Sequence, residues 1–226
     1  MSAARSLGCY HGKVKDSRDD KLVGDADGAA AHSLRTVFLD RDGVLNEKMP
    51  EGCYVTCREE FHLLEGVPQA IARLNRAGLR VIVVSNQRGV SRGLMNMADV
   101  EAIHAALQQM LATHGAHVDH FYFCPHGKGE CNCRKPLPGM FEQACRDFPQ
   151  IEAAASLLIG DSLSDIEFGR RLGMRTIFIE GHPEQRKPGA QAARELADRS
   201  FASLAVAVGA LLEEQRCPTK FRALSS

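Results

Sequence analysis

The sequence predicts an α/β fold in which a parallel sheet is covered by helices on both faces. Short apolar runs, typical of buried parallel strands, alternate with segments whose apolar residues recur at helical spacing. Polar residues follow several of these runs directly, as expected at the ends of such strands. With 226 residues, 44% hydrophobic and 25% charged, the chain is long enough for one such domain with its own core.

Five apolar runs are predicted as strands. The first ends at Asp40, the second at Ser85 and Asn86, the third at Cys124 and the fourth before Asp161. The runs are Thr36–Leu39, Leu79–Val84, Phe121–Phe123, Leu157–Ile159 and Thr176–Ile179. Because parallel strands end at one edge of the sheet, the polar residues after them should converge there.

Helical spacing of apolar residues lies between these runs. The predicted helices cover Val67 to Leu74 with a stop near Gly78, Val100 to Leu111, Pro138 to Arg146, Ser162 to Leu172, and Phe201 to Leu212. Alternating strands and helices predict a Rossmann-like, doubly wound sheet. The gaps between the motifs are filled by one or two helices, so no large cap domain is expected.

Composition excludes several classes of protein and predicts the domain limits. Lys plus Arg and Asp plus Glu both number 28 and Trp is absent, which argues against nucleic-acid binding. No apolar run of membrane or signal-peptide length occurs, which predicts a cytoplasmic protein whose 8 cysteines are reduced or metal-bound. We expect a flexible extension over residues 1–33, a domain over 34–215 and a tail over 216–226.

The acidic segment Asp40-Arg41-Asp42-Gly43 carries the central chemical prediction. Residues two apart on an extended chain point to the same side, so both carboxylates could face one phosphate. Asp40 would attack phosphorus, while Asp42 would protonate the leaving oxygen and later deprotonate the hydrolytic water. Taken alone, this segment is as often an ordinary turn, but Ser85, Lys135 and Asp161 follow in order and favour phosphate chemistry.

A divalent cation should balance these acids and the phosphate. Mg²⁺ prefers oxygen ligands, and Asp40 and Asp161 are the obvious side chains, with the Asp42 carbonyl as a third ligand. The hydroxyl of Ser85 and the ammonium of Lys135 suit phosphoryl oxygens, and the fork of the Arg134 guanidinium suits a substrate oxyanion.

A second cluster has the spacing C-x-H-x4-C-x-C. Three thiolates and one imidazole make a closed tetrahedral zinc site, which is the structural type. Its ligands would be Cys124, His126, Cys131 and Cys133. Zinc would fix the short loop that ends directly before Arg134 and Lys135. The five other cysteines show no such spacing.

Together these motifs resemble the haloacid dehalogenase superfamily. The matching residues are Asp40-x-Asp42-Gly43, Ser85-Asn86, Lys135 and Gly160-Asp161 with Asp165 four residues on, and the match covers about residues 34–212. The resemblance implies an aspartyl-phosphate intermediate and Mg²⁺.

The segments FLDRDGVLN, VSNQRGV and CRKPLPGM narrow the resemblance to the branch of sugar bisphosphate and histidinol-phosphate phosphatases. It implies recognition by Arg134 and substrate contacts from the loop of about Lys48 to Tyr54. The full predicted set of substrate-binding residues is Arg41, Asn46, Tyr54, Asn86, Gln87, Arg88, Arg134 and Ser162.

The same resemblance implies a small phosphorylated sugar as substrate, in surface polysaccharide synthesis, with heptose bisphosphate favoured over histidinol phosphate. We expect the protein to be a monomer. Two further readings stay open. A nucleic-acid 3′-phosphatase could use the same motifs at an open site, although the neutral charge and scarce aromatics oppose it. A non-catalytic, zinc-stabilised binding protein would need a broken active site, whereas every expected catalytic position is present.

Overall fold

In the computed structural model, residues 33–50, 52–185 and 188–216 are described. Their strands are β1 (Thr36–Leu39), β2 (Arg80–Asn86), β3 (His120–Cys124), β4 (Ser156–Gly160), β5 (Arg175–Ile179) and β6 (Arg199–Phe201). These six strands form one sheet in the order β3-β2-β1-β4-β5-β6. All neighbouring pairs run parallel. The sheet is therefore the doubly wound type that the sequence predicts.

Helices cover both faces of the sheet. They are α1 (Val67–Arg76), α2 (Met97–Ala112), α3 (Gly139–Asp147), α4 (Leu163–Leu172), α5 (Ala190–Leu196) and α6 (Leu204–Arg216). Side chains alternate along β1, so Val37 and Leu39 pack with α1, α2 and α6, whereas Phe38 packs with α3 and α4. A smaller cluster joins α4 and α5 to β5.

The five predicted strands and five predicted helices are all present. Two elements were missed, β6 and α5, and Phe201 belongs to β6 rather than to the last helix, so that boundary was wrong. β6 has three residues on the sheet edge, partly or fully exposed, and therefore shows no apolar run. In α5 the buried residue is Ala193, and one buried alanine does not produce the apolar spacing from which a helix is predicted.

The described segments between β1, β2 and β3 hold α1, α2 and one 3₁₀ turn, so the prediction of no large cap is confirmed. The predicted extension up to residue 32 and the predicted tail from residue 217 lie outside the described residues. None of the helices described is both long and apolar enough to cross a bilayer.

The sheet order decides where a ligand can bind. β1 lies between β2 and β4, and the chain connections diverge from these central strands. In doubly wound sheets with this order, ligands bind at the carboxyl ends of the strands where the direction of winding reverses. That crevice lies at the ends of β1 and β4, where Asp40 and Asp161 follow directly.

Candidate active site

Three buried carboxylates meet at the ends of β1 and β4. Asp40 follows β1, Asp161 follows β4, and Asp165 lies in the first turn of α4. One oxygen of each carboxylate lies within 4.8 Å of those of the other two. Three hard oxygen donors at this spacing fit a Mg²⁺ ion, which is commonly held by a few carboxylates and by water. The fold thus brings together Asp40 and Asp161, the two side chains predicted to bind Mg²⁺, and adds Asp165, which was not predicted as a metal ligand.

Lys135 compensates part of this negative charge. Its Nζ lies 2.7 Å from Asp40 Oδ1 and 2.6 Å from Asp165 Oδ1, and it donates to the Val84 carbonyl at 2.6 Å. Burial disfavours the charged form, but Asp165 and Asp40 outweigh it, so the pKa of Lys135 is raised. The ammonium therefore stays charged beside the position predicted for the nucleophile.

Asn86 holds the backbone of Lys135 in place. Its Oδ1 accepts from the Lys135 N–H at 3.0 Å, and its Nδ2 donates to the Lys135 carbonyl at 3.2 Å. Asn86 was predicted to bind substrate. Because both ends of its amide are engaged by Lys135, the geometry favours a role in positioning that lysine.

The carboxylate of Asp42 accepts hydrogen bonds from three side chains: Arg41, Asn46 and Gln87. Burial alone would raise the pKa of Asp42, but Arg41 and the bonds from Asn46 and Gln87 outweigh it and hold the pKa below 3.8. Asp42 is therefore ionised before substrate binds. The carboxylate of Asp42 is not part of the described group of possible metal ligands, which is Asp40, Asp161 and Asp165. The predicted contact of Asp42 with the metal ion therefore depends on its backbone carbonyl.

Two side chains predicted to touch substrate are buried in this network. Arg41 is 0% exposed and its guanidinium binds Asp42 and Gln87, and its predicted contact with substrate stays a prediction. Asn46 is also 0% exposed and donates to Asp42 at 3.0 Å and to the Glu47 carbonyl at 2.7 Å. Both residues orient Asp42, and the predicted contact of Asn46 with substrate stays a prediction.

Gln87 links the ends of β1 and β2. Its Nε2 donates to Ser85 Oγ at 2.7 Å and to Asp42 Oδ2 at 2.9 Å. Gln87 is 1% exposed, and its predicted contact with substrate stays a prediction. Its amide instead fixes the hydroxyl of Ser85 relative to the carboxylate of Asp42.

The turn after Asp42 is tight rather than extended. The N–H groups of Leu45 and Asn46 both donate to the Arg41 carbonyl, and Gly43 has φ +94°. A Cβ on Gly43 would collide with the carboxylate of Asp161. Glycine is therefore required at position 43 for two reasons. It adopts the left-handed backbone, and it leaves room for the carboxylate of Asp161.

We call the rim the polar side chains on the three loops that follow β1, β2 and β3. Arg88 is exposed, Tyr54 and Arg134 are partly exposed, and the guanidinium of Arg92 lies 5.9 Å from the ring centre of Tyr54. Arg92 also donates to the Gly52 carbonyl at 3.4 Å, which joins the loop after β1 to the loop after β2. The predicted substrate contacts of Tyr54, Arg88 and Arg134 are compatible with these positions.

Ser162 lies at the N-cap of α4. Its hydroxyl donates to Asp165 Oδ2 at 2.5 Å, and its N–H donates to the same oxygen at 3.0 Å. These bonds orient Asp165 within the carboxylate cluster. Ser162 was predicted to bind substrate, and that contact stays a prediction.

The predicted zinc ligands also lie together. Sγ of Cys131 is 3.5 Å from Cys124 Sγ and 3.3 Å from Cys133 Sγ, and His126 Nδ1 is 3.8 Å and 3.4 Å from the sulfurs of Cys124 and Cys133. A tetrahedral zinc ion with bonds of about 2.3 Å spaces its sulfurs by roughly 3.8 Å. The donor set and its spacing therefore fit zinc.

Burial raises the pKa of the thiols of Cys124 and Cys133, which would stay neutral without a cation nearby. A bound zinc ion would reverse this and hold them as thiolates. The cluster begins at the end of β3 and leads directly to Arg134, whose Nη1 donates to the His126 carbonyl at 3.4 Å. The cysteine loop therefore continues directly into the segment that carries Lys135.

Two residues at the site were missed as individual residues. Asp165 belongs to the quoted motif, and its position one helical turn after Asp161 was a usable signal. Lys48 lies in the loop predicted to contact substrate, and its ammonium binds Asp161. No spacing rule relates Lys48 to Asp161, because they are 113 residues apart.

Comparison with known proteins agrees with this geometry. Residues 132–205 match a family described as HAD-hydrolase-like. A D-glycero-D-manno-heptose-1,7-bisphosphate 7-phosphatase of Chlorobaculum tepidum is 38% identical over 68% of this chain and 82% of its own length. A D-glycero-alpha-D-manno-heptose-1,7-bisphosphate 7-phosphatase of Mycobacterium bovis is 40% identical over 76% of this chain and 90% of its own.

A solved structure supports the same conclusion. The D,D-heptose 1,7-bisphosphate phosphatase from B. bronchiseptica, crystallised with magnesium and phosphate, superposes with a TM-score of 0.70 at 33% identity. The similarity covers 80% of this chain and 99% of that one. Shared sequence, fold and named activity thus agree, and the chain belongs to the HAD-like phosphatases of the haloacid dehalogenase superfamily, which hydrolyse phosphoric monoesters.

Proposed function

We propose that this protein removes the 7-phosphate of D-glycero-D-manno-heptose 1,7-bisphosphate in a Mg²⁺-dependent reaction, within the synthesis of nucleotide-activated heptose for surface polysaccharide. The observation that carries the chemistry is the convergence of Asp40, Asp161, Asp165 and Lys135 within one buried cluster. The substrate is inferred from the named activities of relatives at 38–40% identity.

In the first step, a carboxylate oxygen of Asp40 attacks phosphorus and the bond between phosphorus and the sugar oxygen breaks. The leaving oxygen takes a proton from Asp42, and Asp40 carries the phosphoryl group as an acyl phosphate. In the second step, Asp42 removes a proton from water, and the water oxygen attacks phosphorus. Inorganic phosphate leaves and the Asp40 carboxylate is restored.

Asp42 must gain a proton before it can act as an acid, because its pKa is lowered in the free protein. A phosphate group beside Asp42 adds negative charge and favours the protonated carboxyl. The bonds from Arg41, Asn46 and Gln87 keep the carboxyl oriented in either protonation state. The protein therefore supplies orientation, and substrate binding supplies the shift in proton affinity.

Asp40, Asp161, Asp165 and the Asp42 carbonyl would hold the Mg²⁺. When bound, the ion neutralises phosphoryl charge and draws electrons from phosphorus. Lys135 holds Asp40 in position by the 2.7 Å ion pair. Ser85, fixed by Gln87, offers a hydroxyl to a phosphoryl oxygen.

The rim suits a small substrate with a second anionic group. Arg88, Arg92 and Arg134 place three guanidinium groups on loops around an open site with no large cap. A sugar bisphosphate brings such a second phosphate, for which a planar guanidinium is a good partner. Relatives named for the alpha and the beta anomer match at 40% and 38% identity, so the proposal leaves the anomer unspecified.

A substrate comparison tests the proposal. Phosphate release would be measured with both anomers of heptose 1,7-bisphosphate and with histidinol phosphate, with and without Mg²⁺. We expect Mg²⁺-dependent release from at least one heptose anomer, and a kcat/KM at least about tenfold lower for histidinol phosphate. Preferential cleavage of histidinol phosphate would replace the heptose assignment.

Asp40→Asn is the control for the chemistry. It keeps the shape of the side chain but removes the nucleophilic carboxylate, so turnover should fall by at least about a thousandfold. Circular dichroism should show that the fold is kept. Unchanged turnover by the Asn variant would contradict the aspartyl-phosphate mechanism.

A further inference from the structure

One peptide group of the cysteine loop is held from both sides. The peptide between His126 and Gly127 is planar, so the His126 carbonyl and the Gly127 N–H move together as one unit. The N–H donates to Glu130 Oε2 at 2.7 Å, and the carbonyl accepts from Arg134 Nη1 at 3.4 Å. A carboxylate on the N–H and a guanidinium on the carbonyl polarise the peptide in the same direction, so each bond strengthens the other.

The glycine at position 127 leaves room for the carboxylate of Glu130. Gly127 is buried, and a Cβ on it would collide with that carboxylate unless the glutamate moved away. Gly127 does not adopt the left-handed backbone that favours glycine. Space rather than backbone conformation therefore suits this position to glycine, and Glu130 lies directly against it.

His126 is the exposed member of the four predicted zinc ligands. Its Nδ1 lies 3.8 Å from the sulfur of Cys124 and 3.4 Å from that of Cys133. Hydrogen bonds that orient a metal ligand raise the affinity of the site, and a ligand at the surface depends on them most, because water can replace it. The bond from Gly127 to Glu130 supplies this support, since the peptide plane that it fixes begins at the Cα of His126.

The same peptide orients Arg134, the residue predicted to recognise a substrate oxyanion. One N–H of its guanidinium bonds the His126 carbonyl, and a guanidinium has several further N–H donors for a phosphate. A side chain that is already held loses less freedom when it binds an anion. Lys135 is held separately, by Asn86 and by the ion pair with Asp40. Loss of the peptide contact should therefore weaken recognition more than the chemical step.

We propose that Glu130 is a positioning residue of the cysteine loop: by holding the peptide between His126 and Gly127, it keeps His126 on the zinc ion and Arg134 directed at the second anionic group of the substrate. This inference rests on the proposed zinc site and on the sugar bisphosphate of the proposed function. Glu130 acts through the peptide and is not one of the four zinc ligands.

Two variants separate the hydrogen bond of Glu130 from its bulk. Glu130→Gln keeps an oxygen that can accept from the Gly127 N–H, whereas Glu130→Met keeps a similar length without an oxygen acceptor. Glu101→Met, at an exposed position on α2, is the matched control. Because Glu130 is also exposed, all three variants should fold, which circular dichroism would check.

Zinc release tests the contact to His126 without measuring turnover. Each zinc-loaded protein would be mixed with a chromogenic chelator, and the rate of release would be recorded. Glu130→Met should release zinc about tenfold faster than the wild type, the lower end of the range for groups that orient metal ligands. Glu130→Gln should release it more slowly than Glu130→Met, since its amide oxygen still accepts the bond, and Glu101→Met should match the wild type.

Steady-state kinetics tests the contact to Arg134, with protein whose zinc content equals that of the wild type. For heptose 1,7-bisphosphate, Glu130→Met should raise KM by about fivefold and leave kcat within about twofold, because one hydrogen bond that supports recognition is lost. Its KM for p-nitrophenyl phosphate, which has no second phosphate, should stay at the wild-type value. Glu130→Gln should restore most of the KM for the bisphosphate.

The outcomes separate this inference from the proposed function. Equal zinc release by Glu130→Met and the wild type would overturn the role toward His126. An equal rise in KM for p-nitrophenyl phosphate, or a lower kcat with unchanged KM, would overturn the role toward Arg134. A wild type that binds no zinc would overturn the inference and leave the phosphatase activity standing. If the wild type left heptose bisphosphate intact, the proposed substrate and its recognition would both fail, while zinc release would still decide the contact to His126.

Discussion

Single side chains at this site are held mainly by other side chains. Gln87 binds Ser85 and Asp42 at once, and Arg41 binds both Gln87 and Asp42. These four residues lie at the ends of two neighbouring strands, so one network sets the geometry of the proposed acid and of the phosphate-binding hydroxyl. Such a network is sensitive to loss of one member, because a buried partner is then left unsatisfied.

We predict that Gln87→Met reduces kcat by roughly 10- to 100-fold, the lower part of the range for general acid–base catalysis. Methionine fills a similar volume but leaves Ser85 and Asp42 without the shared donor. Steady-state phosphate release would measure the effect. Gln143→Met, at an exposed position on α3, should keep wild-type kcat, and equal rates for both variants would contradict the role of Gln87.

Gly43 provides a test of backbone geometry. Gly43→Ala should lower the free energy of unfolding by about 2 kcal/mol or more, since it adds left-handed strain and a collision with Asp161. Gly52 has φ +85° but no atom within 4 Å of a new Cβ, so Gly52→Ala carries the strain alone. Urea unfolding would compare them, and an equal loss for both variants would exclude the collision.

His104 gives a prediction on pH. Its ring stacks on Phe121 with centroids 4.6 Å apart, and burial, with a smaller effect from Arg41, lowers its pKa to about 3. The unfolded chain therefore binds a proton near pH 6.5 that the folded protein does not bind until about pH 3. Stability is fully present above pH 6.5 and is lost as pH falls toward 3.

The variant His104→Phe removes this titration. We predict that the wild type loses roughly 3 kcal/mol more than His104→Phe between pH 7 and pH 4. Urea unfolding of both proteins across this range would measure the difference. Parallel stability curves for the two proteins would contradict a neutral, buried His104.

At the scale of elements, the cysteine loop connects β3 to Lys135, the lysine proposed to act in catalysis. Its first ligand ends β3, and its last ligand lies two residues before Lys135, whose backbone Asn86 binds at the end of β2. A metal ion bound in this loop would therefore help to fix the position of Lys135 without contacting the substrate. The donor spacing agrees with zinc, and binding of such an ion is coupled to folding.

Loss of one ligand should reveal the metal. Cys131→Ser should reduce bound zinc from about one ion per chain to nearly none, and lower the unfolding midpoint by at least about 5 °C. Elemental analysis and calorimetry would measure both quantities. Cys57→Ser changes an exposed thiol outside the cluster and should leave both unchanged. Full zinc content in Cys131→Ser would exclude this site.

At the scale of the whole molecule, the sheet order places the site. Asp40 and Asp161 are 121 residues apart in the chain, yet β1 and β4 pair in register, with Leu39 opposite Ile159. Asp40 follows Leu39 directly and Asp161 follows Ile159 by two residues, so both carboxylates lie at the same end of the paired strands. The pairing brings two carboxylates of the proposed metal site together, and α4 adds Asp165 from the turn that follows.

The surface bears on the oligomeric state. Large apolar side chains with substantial exposure in the described residues are Leu94, Met97, Leu196 and Val206, which is a modest number for a soluble domain. We predict a monomer, with a mass near 24.7 kDa in light scattering coupled to size exclusion. A stable mass near twice this value would contradict the prediction.

The sequence alone predicted five of the six described strands, five of the six described α-helices and the candidate reactive residues. Buried parallel strands are continuous apolar runs, and the polar residues that follow them are read directly from the chain. The spacing of Cys124, His126, Cys131 and Cys133 is likewise local, so the cluster could be predicted from one segment. β6 and α5 escaped because they are short and bury little apolar surface.

Only the tertiary structure decided which side chains contact one another at the site. It buried Arg41, Asn46 and Gln87 around Asp42, turned Asn86 toward Lys135, and brought Lys48 to Asp161. These contacts join side chains from different strands and loops, and no periodicity in the sequence encodes such pairings. The physical reason is that local patterns fix burial and direction along one element, whereas partners across elements depend on how the sheet is ordered.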